Sequence, residues 1–351
     1  MLKTTRFLVV LVCGIAVLLL GCQQKKTDSD VIVVTDCSGA QVSLSKNISN
    51  VICIDQSFCA FMTGMGLSDK LVGVHGSVIY HAWSPEFNSI YSKMKKYGYH
   101  PSSEAIYEAN ADLVVLNDAK YAEELRALGI PAIYFGYTNY EELCSAVDLI
   151  GEIFGESAAE YIDNWKDELF STIESVTKAV KNIPENEKAN VYYINGSTDG
   201  GLYNTFGKDS FVEFWIETIG ARLITSNYSN VADFNAEELL LLNPDTIIIS
   251  GYIEHTYKDQ ILQDPLWSNI AAVNNNRIFT MPTSFTSYER FAVELPLMIG
   301  YSANKLYPNL YTFGGIAKVR SFYQEFYGKD FSDVQYEYML QGLGPNGERM
   351  D

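Results

Sequence analysis

The stretch SAAEYIDNWKDELFSTIESVTKAVK, Ser157 to Lys181, contains neither glycine nor proline. Within it Ile162, Trp165, Leu169, Ile173, Val176 and Val180 recur at steps of three and four, laying one apolar stripe along a helix. Ser157 with Glu160 predicts a capping box at the start. At 1.5 Å per residue the helix would span roughly 35–40 Å, about the width of a domain. A rod of that length acts as a strut between its neighbours rather than a flexible tether.

On both sides of the rod the pattern changes to short apolar runs alternating with helical periodicity. Before it come Val51–Ile54, Leu71–Val74, Leu113–Leu116 and Ala132–Tyr134; after it come Val191–Ile194, Thr246–Ile249 and Arg277–Thr280. Continuous apolar strands alternating with helices imply parallel sheets covered on both faces. An internal echo ties the halves together. Ser102-Ser103-Glu104-Ala105-Ile106 leads through Asn110-Ala111-Asp112 into Leu113–Leu116. Asn235-Ala236-Glu237-Glu238-Leu239 leads through Asn243-Pro244-Asp245 into Thr246–Ile249 at the same spacing. The expected fold class is α/β, with two similar lobes of mostly parallel sheet bridged by one long rigid helix. The boundaries are 31–156 for the first lobe, 157–182 for the helix and 183–351 for the second lobe.

The beginning of the chain carries an address. Lys3 and Arg6 precede an apolar run from Phe7 to Leu20, too short for a comfortable membrane span and suited to a signal peptide. The run ends in Leu19-Leu20-Gly21-Cys22, which resembles the bacterial lipoprotein signal. That resemblance implies removal of residues 1–21 and lipidation of Cys22, with 22–30 as a polar tether. The expected location is extracytoplasmic, anchored to a bacterial membrane. The net charge of -18 repels nucleic acid. Cys37, Cys53, Cys59 and Cys144 have no CxxC spacing, which argues against a zinc or iron–sulfur site and for free thiols.

Taken in order, these features resemble the vitamin B12, ferric-siderophore and haem solute-binding family. The resemblance runs through Val34-Thr35-Asp36-x-x-Gly39-x-x-Val42, the two Asn-x-Asp turns, Tyr203 to Ser210, Trp267-x-x-Ile270, Val273-x-x-Asn276-Arg277-Ile278 and Phe322 to Tyr327. It implies two Rossmann-like lobes with the ligand held between them, an ABC permease and its ATPase as partners, and a monomer. The expected function is capture of a bulky metal chelate, a ferric siderophore first, with haem or a corrinoid as alternatives by the same mechanism. The resemblance also implies one exposed glutamate per lobe for permease docking, and Glu104 and Glu237 match those positions.

Ligand contacts are expected on the loops at the carboxyl ends of the strands. Those loops are Asp55–Ser57, Gly76–Tyr99, Asn117–Lys120, Gly136–Asn139, Asn195–Thr205, Gly251–Tyr257 and Pro282–Arg290. They are rich in aromatics, whose rings stack on flat chelate faces. Tyr80, Trp83, Tyr99, Tyr137, Tyr203, Tyr252 and Tyr288 are the candidates, with Arg290 as a bidentate cation for an anionic solute. His81, His100 and His255 lie in or beside the same loops.

No cofactor or catalytic residue is expected. Gly64-Met65-Gly66 sits at a helix end without the third glycine of a dinucleotide fingerprint, and Asn304 stands where Gly300-Tyr301-Ser302 would need a nucleophile-elbow glycine. Two readings of other classes stay open: a zinc- or manganese-binding protein, which four histidines serve poorly, and a surface lipoprotein with no transport role.

Overall fold

The computed structural model describes residues 30–196, 201–228, 231, 234–251 and 254–350. The expected signal peptide, most of the tether, Cys22 and Tyr252 lie outside the described residues. The strands are β1 Val31–Thr35, β2 Gln41–Ser45, β3 Val51–Cys53, β4 Leu71–His75, β5 Lys95–Tyr97, β6 Leu113–Leu116, β7 Ala132–Tyr134, β8 Asn190–Gly196, β9 Arg222–Leu223, β10 Thr246–Gly251 and β11 Ile278–Thr280. The helices before the second sheet are α1 Gln56–Gly64, α2 Gly76–Tyr80, α3 Ser84–Phe87, α4 Ser103–Glu108, α5 Ala119–Ala127, α6 Tyr140–Phe154 and α7 Glu156–Val180. Those that follow are α8 Phe211–Thr218, α9 Ala236–Leu242, α10 Glu254–Gln263, α11 Ala271–Asn274, α12 Leu295–Leu306, α13 Gly315–Tyr327 and α14 Asp333–Leu340.

After the antiparallel β1–β2 hairpin, two parallel sheets carry the fold. The first has the order β5-β4-β3-β6-β7 and the second β11-β10-β8-β9. In each, the first strand of the sheet in chain order, β3 or β8, is an inner one and the chain then winds outward both ways. Each sheet therefore has one topological switch point, β3/β6 in the first lobe and β8/β10 in the second. At such points the loops of neighbouring strands diverge and leave a crevice at the carboxyl ends. The fold is the expected α/β pair of Rossmann-like lobes. Only the edge strands β5 and β9 escaped the sequence pattern, being too short for a periodic run.

The repeated turn has one physical construction in both lobes. Asn110 (φ 49°) and Asn243 (φ 41°) take the left-handed conformation that ends α4 and α9, a region asparagine tolerates. Two residues on, Asp112 accepts from the backbone N–H of Asn50 at 3.0 Å, just ahead of β3. Asp245 does the same for Asn190, the first residue of β8, at 2.9 Å. Each carboxylate thereby fixes the entry of the central strand.

Helix α7 joins the lobes as a single unbroken rod, burying Ala158, Ile162, Trp165, Leu169, Thr172, Val176 and Val180. The expected capping box does not form. The rod starts at Glu156, one residue after α6 ends around Gly155 (φ 90°), so Ser157 is already inside the first turn and no side chain caps it. Trp165 crosses between elements: its indole N–H donates to the Val293 carbonyl at 2.9 Å and its ring meets Phe61 edge-on.

One apolar core runs through both lobes, and each sheet turns its other face to a satellite core of its own. Alternation sorts the side chains. Val51 and Cys53 join the shared core while Ile52 and Ile54 join the first satellite; Val191 and Tyr193 face the shared core while Tyr192 and Ile194 face the second. The end of the chain also crosses over. Phe87 packs on Tyr323 and Tyr327 of α13, Tyr161 donates to the Phe326 carbonyl at 3.0 Å, and the Trp83 indole donates to the Leu343 carbonyl at 2.8 Å. Residues of the expected second lobe thus pack on the first.

Candidate functional site

The two switch points face each other across a cavity of about 260 Å³. Asp55 follows β3, caps α1 by accepting from the Phe58 N–H at 2.8 Å, and brings Gln56 and Ser57 to the rim. Asn117 follows β6. Across from them stand Tyr193 and Asn195 of β8 with Phe206, and the base is the segment Glu289-Arg290-Phe291.

That base is held by the first lobe. Ser57 donates through Oγ to the Arg290 carbonyl at 2.9 Å, and the Tyr137 hydroxyl donates to the Phe291 carbonyl at 2.8 Å. Phe291 sits at φ 53°, an uncommon conformation for a bulky residue, and its ring lies 4.3 Å from that of Phe211. Non-glycine residues persist there only where surrounding contacts over-determine them. Below the segment, buried Glu294 accepts from Ser284 Oγ at 2.9 Å and from the Tyr327 hydroxyl at 2.8 Å.

Arg290 sets the electrostatics. Its Nε lies 3.9 Å from Glu289 Oε1, too long for a hydrogen bond, and its side chain is 39% exposed. Burial pushes the Asp55 carboxyl up to about 6, against the opposing pull of the Phe58 and Ser57 amides and the Arg290 charge. Burial, then the same cation, holds His75 below the usual histidine range and takes buried His81 down to about 4. The His75 ring stacks on Tyr99 with centroids 4.1 Å apart, and its Nδ1 meets Ser77 Oγ at 2.6 Å. The cleft therefore brings together one guanidinium, the carboxyls of Asp55 and Glu289, amide side chains and aromatic walls.

Of the aromatics proposed from sequence, Tyr99 lines this cleft together with Arg290. Tyr137 lies beneath it as a lobe-to-lobe contact. Trp83 and Tyr288 do not line it, since both are core residues, Tyr288 next to Tyr323. Tyr203 stacks on Trp267 in the second satellite core. Tyr80 is 72% exposed under the Lys96 ammonium and borders a neighbouring cavity. His81 meets Thr283, His100 pairs with Asp118 at 3.0 Å, and His255 meets the Gly342 carbonyl. Among the described residues no group of three or more His, Cys, Asp or Glu converges to hold a metal. Glu104 and Glu237 are both exposed, each at the second position of its helix. Glu237's N–H and that of Glu238 share the Asn235 cap, while the Glu238 carboxylate accepts from the Tyr228 hydroxyl.

Asp55, Gln56, Asn117, Tyr193, Asn195, Phe206, Glu289 and Phe291 were not singled out from sequence. Most belong to the loops named there; ranking by aromaticity favoured bulk, whereas position immediately after a switch-point strand was the usable signal.

Two lobes of parallel sheet, a rigid connecting helix and a solvent-open cleft at facing switch points define a binding protein of the two-lobed, strut-helix class. The chain belongs to the periplasmic binding protein family, whose model matches residues 51–284. An uncharacterized ABC transporter substrate-binding lipoprotein of Bacillus subtilis, YvrC, is 23% identical over 282 residues, covering 75% of this chain and 85% of that one. Among solved structures, molybdate-bound MolA of Haemophilus influenzae aligns with a TM-score of 0.74 at 18% identity, covering 86% of this chain and 99% of its own. Nickel-bound CeuE of Helicobacter pylori gives 0.71 at 17%, covering 88% and 99%. An Fe3+-hydroxamate transport protein of Saccharomonospora viridis gives 0.59 at 18%, covering 79% and 98%. At these identities the structural likeness establishes the fold.

Proposed function

We propose that the chain is the solute-binding component of an ABC importer, held outside the cell membrane by lipid on Cys22, and that its solute is an anionic metal chelate, a ferric siderophore before haem or a corrinoid. The observation that carries this reading is Arg290, fixed by Ser57 through its carbonyl at the base of an interlobe cleft walled by Tyr99, Tyr193 and Phe206. A cation held in place by the backbone recognises a carboxylate or catecholate edge, and the rings cover the chelate face. The Bacillus subtilis relative supports the transport role, and the lipoprotein signal at Cys22 supports the anchor. Glu104 and Glu237 then serve as paired docking carboxylates for cationic side chains on the permease, one per lobe.

The small volume of the cleft favours a second reading, a compact oxyanion or small chelate. Isothermal titration of purified residues 23–351 separates the two. The panel is a ferric catecholate, a ferric hydroxamate, haemin, cyanocobalamin and molybdate. Saturable binding of a ferric chelate, weakened about tenfold or more by Arg290→Ala, is the expected result. Binding of molybdate alone would transfer the proposal to the second reading. For docking, Glu104→Ala with Glu237→Ala should abolish uptake while leaving solute affinity intact; unchanged uptake would reject that role.

A further inference from the structure

Beside the cleft lies a second cavity of about 340 Å³, larger than the first. One wall is the end of α2 with Tyr80, His81 and Ala82; the other is the end of the chain, Glu348 to Met350. The two cavities are neighbours. Gln56 borders the first and Ser77 the second, and these side chains hydrogen-bond to each other. Ser77 also meets His75, whose ring stacks on cleft residue Tyr99. A bar of three hydrogen-bonded polar side chains, Gln56, Ser77 and His75, thus links the lining of one space to that of the other.

The wall made by the end of the chain is fastened at several points. Beyond α14, His255 donates to the Gly342 carbonyl at 3.2 Å, and the Leu343 carbonyl accepts from Trp83. Gly344 donates to the Glu348 carbonyl at 2.8 Å, closing a small loop. Arg349 then grips Asp259 of α10 through two guanidinium nitrogens, at 2.6 and 3.4 Å. The strap therefore spans from Trp83 of the first lobe to α10 of the second. It brings Met350, a flexible and polarizable side chain, to the cavity that Tyr80 and Ala82 also line, with Ser77, His81, Glu348 and Arg349 supplying the polar part of the lining.

We infer that the solute site has two compartments, and that the strap of residues 342–350 builds the second to receive an apolar or aromatic arm attached to the polar head held by Arg290. The inference rests on the reading of the cleft as a chelate site. It also removes the difficulty of size. Pockets that enclose drug-sized ligands measure roughly 300–1,000 Å³; the cleft alone falls short, and the two compartments together fall inside that range. The substrate class is accordingly a chelate with an anionic coordinating head and at least one apolar arm.

The test compares two probes by calorimetry: the ferric complex of 2,3-dihydroxybenzoate, a head without an arm, and that of an N-alkylated 2,3-dihydroxybenzamide, the same head with an apolar arm. Native protein should bind the armed complex about tenfold or more tightly than the bare one. Ala82→Trp, which fills the second cavity, should cancel that advantage and leave the bare complex unaffected. Arg349→Ala, which removes a side chain of the cavity wall together with its clamp on Asp259 and adds no bulk, should do the same and decides the matter if the tryptophan variant does not fold. An arm advantage that is missing in native protein, or that survives both substitutions, overturns the inference. Native protein that binds neither complex defeats the chelate reading itself, and the two-compartment site with it.

Discussion

Replacing Glu294 with glutamine tests how the segment bearing Arg290 is held. Glu294 is fully buried, with its carboxyl bonded by Ser284 and Tyr327 and more distantly by Thr286. Burial pushes its pKa from 4.5 up to about 7, and the Tyr327 and Ser284 hydroxyls resist that rise only in part. At 1.36 kcal/mol per unit, the shift is worth on the order of 3 kcal/mol. The folded-state value lies above the unfolded one, so this contribution to stability is fully present below pH 4.5. It is lost as the pH rises through about 7, where the folded chain must carry a buried anion. Glutamine cannot ionise. Its penalty, about 1 kcal/mol for poorer hydrogen bonding, is the same at every pH. Urea unfolding of both proteins at pH 5 and pH 8 should therefore show the variant gaining on the native chain by roughly 2–3 kcal/mol between those values. Other titrating groups, Asp55 and His81 included, are common to both and cancel in the difference. Parallel pH dependences for the two proteins would refute the reasoning.

Four further outcomes follow from the same geometry. Trp165→Ala should cost roughly 3–5 kcal/mol, because the indole is fully buried between Phe61 and the Val293 carbonyl. Unfolding should remain a single transition, since one core runs through both lobes; two separate transitions in urea would count against it. Asp55→Asn should raise affinity for an anionic solute severalfold at pH 7 and flatten its pH dependence between pH 5 and 7, the window set by a carboxyl titrating near 6 beside Arg290. Calorimetric titration at both pH values checks it. Gly251→Ala should cost at least about 1–3 kcal/mol, as φ is 93° and the new methyl would run into the Gly196 carbonyl oxygen. Gly39→Ala, at φ 82° with open space around it, is the urea-unfolding control for backbone strain alone.

The fold was legible because its determinants are local. The stripe from Ile162 to Val180 needs only helical spacing, and the Asn-x-Asp echo needs only two turns of the same design. The capping box was misread because Ser157 and Glu160 have the right spacing while Gly155, which actually breaks the chain between α6 and α7, leaves the rod to start at Glu156. The site was less legible because its membership depends on which strands become neighbours. Asp55 and Asn117 are ordinary loop residues until β3 and β6 pair, and Tyr193 is one tyrosine of a buried strand until β8 becomes central. Trp83 shows the converse: a loop aromatic looks like a ligand contact until the far end of the chain, at Leu343, arrives to take its indole N–H.

The same crossing contacts constrain how the protein can respond to its solute. Ser57 and Tyr137 of the first lobe bond the backbone of Arg290 and Phe291 at the base of the cleft, while α7 and α13 carry one apolar core past it on the other side. Wide hinge opening would break these bonds and separate Phe61 from Trp165 and Phe87 from Tyr327, groups that leave water only while the lobes stay together. Packed interfaces of this kind move between discrete arrangements or hardly at all. While these contacts hold, exposed side chains on the two lobes, Glu104 and Glu237 among them, are kept at one separation. The groups that the Arg290 charge reaches at the cleft include the Asp55 carboxyl and the His75 ring, stacked on Tyr99, both on the first lobe.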